Sequence, residues 1–220
     1  MPVASDPRQP PAPAWFSTEA GRILLESQQP ALASALCAHP AGTWLWLAAD
    51  DADVGLQHVL GGRGLRLQLR NGRFEGDLRC ALPLPLASES LGCVVLQHVG
   101  ESVGAGRAAL LEECARVLLP GGVLAVIALN PASPYRLRWQ GQGVSGTEPV
   151  TWRRRLRRVG LAPEAVALGI GPRWQMQVDP RPQEGAGLRA VYLVRARKQV
   201  AALTPTRALR IGHAAAVPGA

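Results

Sequence analysis

The feature that most constrains this chain is a stretch of helical periodicity held between two short apolar runs. From Gly106 to Leu119, Leu110, Leu111, Cys114, Val117 and Leu118 recur at the spacing of one helical face, and Pro120-Gly121-Gly122 ends the pattern. Residues 93–98 and 123–129 lie on either side, each of a length suited to a buried strand. Strand, helix, tight turn and strand read as a βαβ unit with parallel strands and a right-handed crossover.

The rest of the pattern extends that unit. Thr18 and Glu19 ahead of Ile23, Leu24 and Leu25 predict a capped helix, and Pro30 separates it from a second helical stretch over 31–38. Residues 43–48 and 65–69 predict two further strands, and after Asn130 come a loop over 131–149, a basic helix over 150–159, a strand over 165–170 and a last strand over 188–196. Strands alternating with helices imply an α/β, Rossmann-like fold with helices on both faces and a ligand at the carboxyl ends of the strands. A Pro-rich segment, 1–14, and an Ala-rich tail, 201–220, are expected to be flexible around one domain over 15–200.

Composition narrows the function classes. Apolar residues are 47% and charged residues 18%, which suits a globular core. The formal charge is +8, yet of 24 basic residues only Lys198 is lysine, a skew that points to codon bias more than to a selected phosphate surface. Arg153, Arg154, Arg155, Arg157 and Arg158 cover most of one helix, so nucleic acid is a weakly supported partner. Cys37, Cys80, Cys93 and Cys114 form no CxxC pair and have no histidine at ligand spacing, so no metal is expected and the thiols read as reduced core residues. The amino terminus lacks the charged and apolar regions of a secretory signal, and the longest apolar stretch is interrupted. The expectation is a cytoplasmic protein without a membrane partner; the oligomeric state stays open.

Several blocks carry a resemblance. Residues 111–130, LEECARVLLPGGVLAVIALN, and 84–95, LPLASESLGCVV, resemble the entries to the fifth and fourth strands of class I S-adenosylmethionine-dependent methyltransferases of type 11. LQHVGE at 96–101, LNPASPYRLRW at 129–139 and both ends of the domain are similar to a small proteobacterial methyltransferase-like branch. The resemblance implies a mostly parallel seven-stranded sheet with an antiparallel terminal hairpin, binding of S-adenosyl-L-methionine, and methyl transfer to a small-molecule or macromolecular acceptor that the sequence does not identify. It places cofactor contacts at Leu47, Ala48, Ala49 and Asp50 after the first strand, at Cys80 and Ala81 on the adenine side, and at Leu96 and Gln97 ending the fourth strand. It places His98 as a base or polar wall, and Asn130, Pro131 and Trp139 against the acceptor.

The chain also departs from that family. Where the family has a glycine-rich loop that lets backbone approach the cofactor, this sequence reads Trp46-Leu47-Ala48-Ala49-Asp50-Asp51-Ala52. The strand over 65–69 is followed by Arg70 rather than by an acidic residue for the ribose hydroxyls, and the adenine-contacting Asp is Cys80, with Asp77 three residues earlier as its substitute if the loop shifts. Gly92 replaces the Asp that normally enters the fourth strand. Two alternatives therefore stand beside an active methyltransferase: a catalytically inactive binding or regulatory module on the same fold, and an Arg-rich nucleic-acid-binding protein.

Overall fold

The structure is a computed structural model that describes residues 14–49, 63–70, 72–99 and 106–199. The expected flexible ends apart from Ala14, the loop from Asp50 to Ala52 and the last two residues of the block ending at Glu101 lie outside the described residues.

The first helix, α1 (Glu19–Leu36), starts where Thr18 accepts the Gly21 N–H. Gly21 is required there, because a Cβ would meet the Trp15 carbonyl oxygen at 2.4 Å where the 3₁₀ turn Ala14–Ser17 packs back on the helix. Pro30 does not divide this helix as the sequence reading expects. A proline inside a helix costs about 3 kcal/mol, and burial of Leu24, Leu25, Leu32, Ala35 and Leu36 along one face on both sides of Pro30 offsets it.

Among the described residues nine strands form one sheet: β1 (Thr43–Ala48), β2 (Arg63–Arg70), β3 (Arg73–Gly76), β4 (Leu91–Gln97), β5 (Leu118–Leu129), β6 (Leu161–Pro163), β7 (Leu168–Ile170), β8 (Gln183–Glu184) and β9 (Val191–Lys198). Their order is β3-β2-β1-β4-β5-β9-β7-β8, with β6 paired to β9. β2, β1, β4 and β5 are parallel, while β9 runs against both β5 and β7. Five strands, β1, β2, β4, β5 and β7, thus end at the same edge. The α/β class is as expected, and β3, β6 and β8 are additions. β3 returns from β2 through a tight hairpin that the apolar pattern of four residues, Arg73–Gly76, is too short to announce.

Helix α2 (Arg107–Val117) and helix α3 (Pro149–Arg158) cover one face. There Leu110, Leu111, Cys114, Trp152 and Leu156 pack on Leu47, Leu96, Val126 and Val194. On the other face α1, Trp15, Phe16, Tyr135 and Trp139 pack on Trp46, Ala48, Val95, Ile127 and Leu193. The helix over 106–119 is shorter than its periodicity suggests: it stops at Val117, and Pro120-Gly121-Gly122 lies within β5 as a bulge rather than before it. Leu118 pairs with Leu91 and Val123 with Cys93, so β5 advances five residues while β4 advances two, and Gly121 takes φ +79 to absorb the excess. The last strands are shorter or shifted, β7 starting at Leu168 and β9 at Val191.

Candidate functional site

The carboxyl edge of the parallel strands is where an open α/β sheet binds ligands. Ala48 stands opposite Gln68 of β2 and Gln97 of β4 in one row, and the Ala49 N–H donates to the Gln97 carbonyl, so the ladder holds to its last residue. Leu47 and Leu96 face the α2 and α3 side and are fully buried, whereas Ala48 faces α1. Asp50 lies outside the described residues.

Gln97 and His98 are buried beneath α1. The Trp46 indole Nε1 donates to Gln97 Oε1 at 2.9 Å, Gln97 Nε2 donates to Gln28 Oε1 at 3.0 Å, and the Gln28 amide meets His98 Nε2 at 3.1 Å. The Phe16 ring lies 4.7 Å from the imidazole. Burial pushes the His98 pKa down to about 3, so the ring is neutral at physiological pH. His98 also takes φ +56, a left-handed conformation that costs a non-glycine residue about 1–2 kcal/mol. Its N–H donates to the carbonyl of Ile127, three residues before Asn130, which places His98 and Asn130 on neighbouring strand ends of one edge.

Asn130 is fully engaged. Its Nδ2 donates to the carbonyls of Gly187 and Arg189 at 2.9 and 2.8 Å, its Oδ1 accepts the Ala132 N–H, and its own N–H reaches Ala190. The side chain closes the end of β5 onto the segment entering β9. Pro131 is half-buried. Trp139 is buried in edge-on contact with Trp15, 5.6 Å away. Trp15 in turn donates to the Arg138 carbonyl.

Cys80, expected on the adenine side, pairs with Phe74 through an isolated bridge and, with Ala81, Arg73, Glu75 and Arg79, lines a surface pocket at the outer end of the sheet. Two strand spacings of about 4.8 Å separate the β3 lining of this pocket from β1, and Cys80 lies one spacing further out. Asp77 is not on this edge: its carboxylate accepts the Arg66 N–H at 2.6 Å, toward the amino end of β2, so it does not substitute for the missing adenine-side carboxylate. At the end of β2 stands Arg70, exposed. Gly92 leaves room for His39, whose Nδ1 lies 2.5 Å from where a Cβ would stand.

Sequence reasoning missed Phe16 and Gln28, which contact His98, and the bond of Trp46 to Gln97. No local signal could have found them, since Gln28 and His98 are 70 residues apart. Among the described residues no cluster of His, Cys, Asp and Glu could hold a metal, and no helix is long and apolar enough to cross a membrane.

A family model for the methyltransferase domain matches residues 62–126. A SAM-dependent methyltransferase from Thermotoga maritima superposes with a TM-score of 0.56 at 17% identity, over 84% of this chain and 97% of that one. This is the class I methyltransferase fold. A SAM-dependent methyltransferase from Archaeoglobus fulgidus, 14% identical, gives a TM-score of 0.55 over 80% and 94% of the two chains. The [4+2]-cyclase SpnF, 12% identical, gives 0.55 over 79% and 82%. No curated protein matches the sequence significantly. At such identities the likeness defines the class I methyltransferase fold and leaves the reaction open.

Backbone at the ends of β1 and β4 shares the carboxyl edge with the end of β2, while the Cys80–Ala81 pocket lies beyond it at the outer end of the sheet. At the end of β2 a guanidinium replaces the carboxylate that ribose hydroxyls take in the family. Asp50 and Asp51, outside the described residues, are the carboxylates next in sequence to β1.

Proposed function

We propose that this chain is an S-adenosylmethionine-dependent methyltransferase-type protein that acts on an acceptor still to be identified. The observation that supports it is the row Ala48, Gln68 and Gln97 at the shared carboxyl edge, in a chain whose residues 62–126 match the methyltransferase domain. Leu47, Ala48, Ala49 and Asp50 would hold the methionine and ribose part, Cys80 and Ala81 the adenine, and Leu96 and Gln97 the floor between them. The cofactor supplies an electrophilic methyl group on a sulfonium sulfur. What the protein adds is placement, because such a displacement needs near-attack geometry more than acid–base help. Neutral His98, with Nε2 on Gln28, is assigned to holding α1 against the edge rather than to taking a proton. Asn130 and Pro131 shape the acceptor side through the backbone they fix.

The second reading is the same fold without catalysis, and two observations favour it: Arg70 where a ribose carboxylate belongs, and the complete internal use of the Asn130 amide. Calorimetric titration of cofactor-stripped protein with S-adenosylmethionine and S-adenosylhomocysteine separates the two. Micromolar binding supports the methyltransferase. Absence of heat and of thermal stabilisation at millimolar ligand supports the inactive module.

A further inference from the structure

The class I edge carries a second feature, independent of whether the protein binds a cofactor. Leu137, Trp174 and Leu188 stand 59%, 56% and 55% exposed. The 3₁₀ helix Pro134–Arg138 links them. At its amino end the Ser133 hydroxyl donates to the Leu188 carbonyl at 2.9 Å, and at its carboxyl end Arg138 Nη2 donates to the Trp174 carbonyl at 3.1 Å. Five residues at about 2 Å each make this a row on the order of 10 Å long.

Arginines accompany each apolar group. Arg136 and Arg138 flank Leu137, Arg173 precedes Trp174, and all three are exposed. Among the carboxylates near this face, Asp179 is held by Arg189 and Arg181, Glu19 lies near Tyr135 at the start of α1, and Glu184 is exposed on β8 next to Gln183, which accepts from Arg173 at 2.7 Å. The backbone beneath is fixed, since Tyr135 donates to the Ala20 carbonyl and the Arg138 carbonyl accepts the Trp15 indole. The apolar groups therefore protrude from a folded surface.

We propose that this face docks on an anionic lipid bilayer. Indole and aliphatic groups partition into the headgroup boundary, and guanidinium groups between them meet anionic headgroups. Leucine side chains have no face on which a base stacks, so Leu137 and Leu188 favour lipid over single-stranded nucleic acid. The face lies at the carboxyl edge of the sheet, so a docked bilayer lies alongside the candidate site.

The test uses the full chain and sedimentation with vesicles of phosphatidylcholine, with and without phosphatidylglycerol. Wild type partitions onto the anionic vesicles, and L137S/W174S, which keeps the net charge, lowers the partition coefficient about tenfold or more. R154Q/R157Q/R158Q, on α3, changes it less than about threefold, because α3 packs on the opposite face of the sheet from Tyr135 and Trp139. The proposal is overturned if L137S/W174S binds like wild type, or if the α3 variant alone abolishes binding. It is equally overturned if wild type ignores vesicles and binds a single-stranded oligonucleotide instead. Should the double variant fail to fold, tryptophan emission of wild type decides: Trp15, Trp46, Trp139 and Trp152 are buried and Trp44 half-buried, so a blue shift with anionic vesicles reports Trp174. Unchanged emission overturns the proposal.

Discussion

Glu113 and Arg116 grip Leu84 from both sides of its peptide unit. Glu113 Oε2 accepts the Leu84 N–H at 2.8 Å, and Arg116 Nη2 donates to the Leu84 carbonyl at 3.0 Å while Nη1 reaches the Leu86 carbonyl at 2.8 Å. The two side chains also bond each other twice, at 2.8 Å each. This is why the two resembling sequence blocks occur together: the acid and base on α2 hold the Leu84-Pro85-Leu86 entry to β4. Arg116→Ala leaves two carbonyls and a mostly buried carboxylate without their partner, and should cost about 2–4 kcal/mol in urea unfolding. Arg116→Lys, which lacks the planar fork, should recover less than half of that.

Stability should fall with pH before the carboxylates titrate. The folded pKa of His98 is lowered to about 3 by burial, while the unfolded chain binds that proton near the ordinary histidine value of 6.5. A depressed folded pKa gives stability that is present above the unfolded value and lost as pH falls from 6.5 toward 3, with a slope approaching about 1.4 kcal/mol per pH unit. Glu113, held below its usual range by Arg116, adds a loss only at lower pH. Urea titrations between pH 6.5 and 4.5 should show the slope in wild type and its absence in His98→Gln.

Asn130→Ala should destabilise by about 2–3 kcal/mol, because it leaves the Gly187 and Arg189 carbonyls without their donor. Asn130→Asp should cost more, since a carboxylate faces those same carbonyls. Thermal melts measure the loss, and limited proteolysis around Gly187 should accelerate in both variants.

The thiols should react in a defined order. Cys37 is exposed; Cys80 is half-buried with its pKa raised by burial; Cys93 and Cys114 are buried and pushed up to about 12. A chromogenic disulfide should label Cys37 quickly and Cys80 slowly, and reach the other two only in denaturant. Fast labelling of Cys93 would contradict its packing under α1, where its Sγ bonds the Ala35 carbonyl.

The strands with clean apolar runs were legible to within a few residues. β1 coincides with its expected span over 43–48, and Leu110, Leu111, Cys114 and Val117 are the buried face of α2 as their spacing predicts. Pro30 misled because a local breaker was weighed without the tertiary burial on both sides of it. The site was less legible. Cys80 and Ala81 do line a pocket, but Asp77, next to them in sequence, belongs to the opposite end of β3, since antiparallel pairing with β2 reverses the direction in which neighbours lie.

Periodicity and turn residues along the chain determined an α/β sheet with a βαβ unit of parallel strands, because hydrophobic spacing of 2 or 3.6 residues is written locally. Only the tertiary structure decided that Gln28 and Phe16 close over His98, that Asn130 spends its amide on the entry to β9, and that Leu137, Trp174 and Leu188 share one exposed row. Those contacts join residues tens of positions apart, and hydrogen bonding and burial between such residues are set by packing rather than by any local pattern.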